Sequence, residues 1–187
     1  MGTWDQVLCN ALRHEYKADV AMSAGVRWGT TTLKGDWITM EDVMTQCAMT
    51  YGETYVTEMT GKELMNVLEG VADNLFDPDP YLQSGGDMVR VGGLDYTIDP
   101  SKPIYERLTD ATLDNGHVIE ADKKYKVAGW ATVNRTPEGR LMWDVVRDYI
   151  LAAKSSDNIL RLPKINHPTL VGVSENPGIA DYPGKLL

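Results

Sequence analysis

One stretch limits the possible folds more than any other: "DMVRVGGLDYTID", residues 87–99, alternates apolar and polar side chains and is broken once, at Gly92-Gly93. Alternation of this kind puts successive side chains on opposite faces of a sheet, and a glycine pair inside it marks a bulge or a bend. The chain must therefore build a sheet that changes course at this point.

The neighbouring segments carry both periods. Residues 4–16 place Trp4, Val7, Leu8, Ala11 and Leu12 on one helical stripe, and Asp19–Ala24 reads as a short strand. Thr39 with Asp42 three residues later marks a helix start, with Val43 and Cys47 facing inward. "TYVTEM" alternates like a strand. Thr60 and Glu63 have capping-box spacing, and Leu64, Val67, Leu68, Val71 and Leu75 continue a helix that the prolines of "FDPDPY" end. A hairpin pattern surrounds Asn115-Gly116, "KYKVAGWATV" reads as a strand, and "LMWDVVRDYILAAK" as an amphipathic helix. From about Pro163 the chain is rich in Pro and Gly and reads as extended. Strands and helices mix without regular βα alternation, which predicts an α+β class with a mixed or largely antiparallel sheet and packed helices. At 187 residues, one domain over 1–187 is expected.

Charge excludes some partners. A formal net charge of −9 argues against a general nucleic-acid or anionic-membrane binder, since both need a basic surface. It does not bar an anionic ligand held by a few placed arginines. No apolar run has the length of a membrane span, and "MGTWDQVL" opens almost directly in a helical pattern, as an initiator Met on a domain boundary would. Cys9 and Cys47 allow one disulfide or none, and their apolar-periodic settings favour buried free thiols.

Reactive chemistry is not visible. His14, His117 and His167 are scattered and belong to no zinc-type motif, and there is no G-x-S-x-G elbow or Walker A loop. The pairs Asp77/Asp79 and Glu120/Asp122 read as solvated turn residues. Binding groups are visible instead. Arg27 follows the small turn Ser23-Ala24-Gly25, and a planar guanidinium there suits an oxyanion. Tyr51 precedes Gly52, Asp87 and Arg90 lie in "GGDMVR", and Trp130 in "VAGWATVN". All stand at the ends of apolar segments, where side chains can converge at one edge of a sheet. Taken singly, each also fits a surface ion pair or a core aromatic.

The order "ADVAMSAGVRWG", "TYGETYVTEMTGKEL", "GGDMVRVGGLDYTID" and "YKVAGWATVN" resembles the C-terminal domain of the 5'-nucleotidase family, and most closely its sulfur-oxidation branch, over nearly the whole chain. The resemblance implies an N-terminal metallophosphoesterase domain, outside this chain, that carries two manganese ions; none is expected in this chain. It also implies a periplasmic setting. Nucleotidases carry N-G-G-G-I-R where this chain reads Met22-Ser23-Ala24-Gly25-Val26-Arg27, so the arginine is kept and the asparagine is not. Tyr51 matches the first base-stacking aromatic. Thr132 replaces the second, and Glu138 replaces the ribose-binding aspartate.

The sulfur-oxidation comparison implies hydrolysis of a cysteine S-sulfonate on a carrier protein, whose flexible glycine-rich C-terminal arm threads between two domains. Arg27 is then the group for the sulfonate and a possible transition-state stabiliser, with Tyr51, Asp87, Arg90 and Trp130 on the channel wall. The alternatives are a nucleotidase or nucleotide-sugar hydrolase, and a non-catalytic module that docks a partner protein.

Overall fold

A computed structural model describes residues 2–25, 31–47, 51–132 and 139–172. The elements in chain order are α1 (Thr3–Tyr16), β1 (Val20–Ser23), α2 (Met40–Cys47), β2 (Thr54–Thr60), α3 (Gly61–Phe76), β3 (Arg90–Gly92), β4 (Leu94–Ile98), β5 (Leu108–Leu113), β6 (Lys124–Trp130), α4 (Met142–Ala153) and β7 (Thr169–Leu170). They form an α+β fold with two sheets, ordered β2-β6-β1-β3 and β5-β4-β7. In the first, β1 runs parallel to β6 and antiparallel to β3, while β2 pairs antiparallel with β6.

Gly92-Gly93 does more than bend a strand. β3 ends in the first sheet and β4 begins the second, so the chain changes sheets at Gly93, whose φ is +84°. A side chain there would also meet the Asp19 carbonyl oxygen at 2.5 Å, so both the backbone and the packing require glycine. The tail secures this junction. Asn166, buried, accepts the Gly93 amide on Oδ1 at 2.9 Å and donates from Nδ2 to Asp95 at 3.0 Å and Asp114 at 2.8 Å. Lys164 bridges the same two carboxylates, at 2.5 and 2.8 Å, and Arg13 pairs with Asp114 at 2.6 Å. The tail expected from about Pro163 is thus extended over its described part, and its short β7 pairs parallel with β4. Residues 173–187 lie outside the described residues.

Both faces of the first sheet are covered, so β1 is buried throughout and β6 from Val127 to Trp130. Ala21 and Ala128 face α1, α2 and α4 with Leu8, Leu12, Val43, Met142 and Val146. Val20, Met22 and Val127 face the other way, onto Leu64, Leu68 and Ala72 of α3 and Leu94, Tyr96 and Ile98 of the second sheet. Small residues on the helical face let α1 approach closely; each large aliphatic side chain buried on the other contributes about 1.5–3 kcal/mol.

Thr60 caps α3 in the predicted box, its Oγ1 accepting the Glu63 amide at 3.2 Å while Glu63 accepts the Thr60 amide at 2.8 Å. The helix buries a narrower face than its apolar spacing predicts: Leu64, Leu68 and Ala72 are buried, Val71 and Leu75 half-buried, and Val67 is exposed. The helix packs against β2 of the first sheet and β5 of the second, and Val67 lies on the flank that faces away from them. Cys9 and Cys47 are free and buried. Among the described residues, no helix is long and apolar enough to cross a membrane.

Candidate functional site

Strand register brings the candidates to one end of the first sheet. Thr54 pairs with Trp130, and Ser23 pairs with Arg90. β1 and β6 run parallel with Met22 opposite Gly129, so Ser23 and Trp130 stand side by side one residue further on. The four residues form a row across the last rung of the sheet. From this rung depart the Ala24-Gly25 turn, the segment before β2 that holds Tyr51, and the segment before β3 that holds Asp87.

Arg90 and Asp87 meet there. The guanidinium is half-buried, and its Nη1 donates to the Met88 carbonyl at 2.6 Å. Its Nε lies 3.4 Å from Asp5 Oδ2, a nearly buried carboxylate of α1 that also accepts the Gly2 amide at 2.8 Å. Asp87 reaches Nη2 from the solvent side at 3.9 Å, an ion-pair distance too long for a hydrogen bond. Gly25 closes the group: a Cβ on it would stand 3.0 Å from both Arg90 Nη2 and Asp87 Oδ2. The small-residue turn therefore lies directly against this pair, and only a residue without a side chain fits there without displacing it.

Trp130 is only 4% exposed and packs in the core between the first sheet and the helices α1, α2 and α4. Its indole Nε1 donates to Ser23 Oγ at 2.8 Å, and that hydroxyl donates to the Ala24 carbonyl at 2.8 Å. The ring therefore supports the turn from beneath rather than forming an exposed wall, because its polar edge is already engaged. Tyr51 is different. It is 45% exposed, and the next residue is held by Gly52 O accepting the Met142 amide at 2.8 Å, with the Trp143 ring over Gly52. Arg27 and Glu138 lie outside the described residues; Thr132 is half-buried just past β6.

Two residues of the site have no sequence signal for it. Asp5 reads as an ordinary acidic residue in a helix first turn, where it complements the dipole. Its place under Arg90 follows only from α1 packing on β3. Ser23 reads as a turn residue, and its role as acceptor for Trp130 depends on the parallel pairing of β1 with β6.

Burial dominates the titration of the groups around the site. It pushes the Cys9 thiol far up, with the nearby Asp5 charge adding to the effect, and pushes the Tyr96 hydroxyl up despite the Arg90 charge. Neither is poised to act as a nucleophile or base near neutral pH. Among the described residues no group of three or more His, Cys, Asp or Glu could hold a metal ion. What remains is an arginine with one buried and one exposed carboxylate, a close-fitting glycine turn and an exposed tyrosine. A guanidinium of this kind has the fork geometry to pair with an oxyanion.

The model of the 5'-nucleotidase C-terminal domain family matches residues 2–142. The chain belongs to that family. Its fold is similar to that of Thermus thermophilus sulfate thiohydrolase SoxB, solved in complex with glycerol, at 30% identity and a TM-score of 0.78, over 92% of this chain and 32% of that one. It is also similar to a 5'-nucleotidase precursor from Thermus thermophilus, at 13% identity and a TM-score of 0.66, over 91% of this chain and 35% of that one. The second likeness is one of fold alone. The chain thus spans about a third of the length of either relative. No curated protein sequence matches it.

Proposed function

We propose that this chain is the substrate-binding domain of a SoxB-type thiosulfohydrolase, which releases sulfate from a cysteine S-sulfonate on a carrier protein in the periplasm. The observation that carries this reading is the likeness to SoxB at 30% identity over nearly the whole chain. Thr132 supports it, since it stands where the nucleotidase resemblance places a base-stacking ring and has no flat face to offer. In this reading an N-terminal metallophosphoesterase domain supplies two manganese ions and the attacking water. This chain supplies Arg27 toward the sulfonate, with Arg90 and Asp87, beside Gly25, on the wall of the passage along which the sulfonate and its carrier arm enter. A planar guanidinium aids binding by offsetting the ground-state charge. It accelerates the reaction only so far as it follows charge developing on the departing sulfate.

One observation favours a second reading, nucleotide hydrolysis. Tyr51 is well exposed at the position of the first base-stacking aromatic, which leaves its ring accessible for stacking.

The test is to join this chain to its metallophosphoesterase domain, load manganese, and offer S-sulfonated carrier and AMP in parallel. Sulfate release without phosphate release is the expected result. Phosphate release alone overturns the assignment in favour of a rebuilt base site.

A further inference from the structure

Arg90 is held unequally on its two sides. Behind it, Nη1 donates to the Met88 carbonyl at 2.6 Å and Nε lies in an ion pair with the buried Asp5 at 3.4 Å, without a hydrogen bond, so the guanidinium sits between the segment before β3 and α1. In front, Asp87 reaches it only at 3.9 Å, and the Asp87 side chain is 69% exposed. The chain leading to Asp87 is tied at Gly85, whose amide donates to the Asn74 carbonyl at 3.0 Å, and is suited to local movement beyond it. Residues 83–89 carry neither helix nor strand, and Gly85 and Gly86 have φ of +76° and +98°. Among the described residues, nothing lies within 4 Å of where a Cβ of either glycine would stand. Just beyond, Met88 and Val89 pack on the core, so a displacement of Asp87 would stop there and leave the strand in place.

We propose that Asp87 is a resident counter-anion for Arg90, which the oxyanion of an incoming substrate displaces. This rests on the reading of this sheet end as the place that receives an anionic substrate, and it deepens that reading by giving Asp87 a role in selectivity. The ligand class is a tetrahedral oxyanion, either a sulfonate on sulfur or a phosphate monoester. Arg90 stays on its rear supports while the exposed carboxylate swings out on Gly86. A weak or singly contacting anion then fails to compete with Asp87. An oxyanion offering two oxygens to the fork replaces it, because bidentate pairing outweighs one long ion pair. Apparent affinity is reduced by the fraction of molecules in which Asp87 occupies the arginine, and removing the carboxylate restores it.

The experiment titrates cysteine S-sulfonate and, separately, AMP into this chain at low salt, with wild type, Asp87→Asn, Arg90→Lys and the double variant. Binding is read by calorimetry and by the amide resonances of Gly25 and Gly86. Asp87→Asn, at an exposed position, leaves the fold intact and is expected to tighten binding by about three- to fivefold, the worth of an exposed ion pair. In the Arg90→Lys background the same change yields no gain. Unchanged or weaker binding by Asp87→Asn overturns the proposal, as does the absence of binding by every variant. A gain seen with AMP alone supports the counter-anion role while counting against the thiosulfohydrolase reading, so the two can fail separately.

Discussion

The indole Nε1 of Trp130 donates to Ser23 Oγ at 2.8 Å, tying together the ends of two parallel strands, β6 and β1, that lie far apart in sequence. Both residues are buried, and the Ser23 hydroxyl in turn donates a hydrogen bond to the Ala24 carbonyl. Replacing Ser23 by Ala leaves a buried indole N–H without its acceptor, which costs about 1–3 kcal/mol. Urea denaturation of Ser23→Ala is expected to show that loss with an unchanged slope. A loss below about 0.5 kcal/mol would mean that water replaces the hydroxyl.

Gly93 is where the chain passes from one sheet to the other. Gly93→Ala meets both a positive φ and the Asp19 carbonyl oxygen at 2.5 Å, so a destabilisation of at least about 2 kcal/mol is expected. Thermal unfolding of this variant beside Gly116→Ala separates the two causes. Gly116 shares the positive φ, but no described residue lies within 4 Å of where its Cβ would stand. Equal losses in the two variants would show that backbone strain alone is responsible.

The buried thiols make a chemical prediction. Burial pushes the Cys47 thiol up to about 12 and the Cys9 thiol higher still. Neither is expected to react with a disulfide reagent in the native state, and both react once the chain is unfolded in denaturant. A fast-reacting native thiol would contradict the packing of α1 or α2.

Acid stability is set in part at the tail. Burial on its own raises the Asp114 carboxyl, but hydrogen bonds from Lys164, Asn166 and Arg13 outweigh it and hold the group below its ordinary value of 3.8. A depressed folded value contributes stability that is present above the unfolded value and lost as pH falls through the folded one. Stability is therefore expected to fall as pH drops below about 4, and Asp114→Asn to flatten that fall while lowering stability at neutral pH. Denaturation midpoints measured between about pH 2 and 7 check both parts.

Arg27 is tested in the joined two-domain protein. Arg27→Ala is expected to lower turnover at least about tenfold, the worth of one transition-state hydrogen bond. A normal rate would remove Arg27 from the mechanism. A raised KM with unchanged kcat would restrict it to ground-state binding.

Local signals in the sequence already determine much of this protein. The Thr60–Glu63 and Thr39–Asp42 caps, the apolar stripe of α1, the Asn115-Gly116 turn and the alternation around Gly92-Gly93 all depend on residues within a few positions of one another, and each appears where its spacing predicts. The resemblance to the 5'-nucleotidase C-terminal domain was likewise legible in short contiguous stretches. Pairings between distant segments had to wait for the tertiary structure. The alternation at residues 87–99 could not say that β3 and β4 belong to different sheets, because that depends on which strands lie beside them. Trp130 had the same apolar body and polar edge whether it lined a channel or a core, and Ser23 beside it decided for the core. Asp5, Arg90 and Asp87 carried only their charges in sequence. The packing of α1 on β3 buried one carboxylate behind the arginine and left the other in solvent, because Asp5 lies on the helix that covers the sheet and Asp87 on the segment beyond its edge.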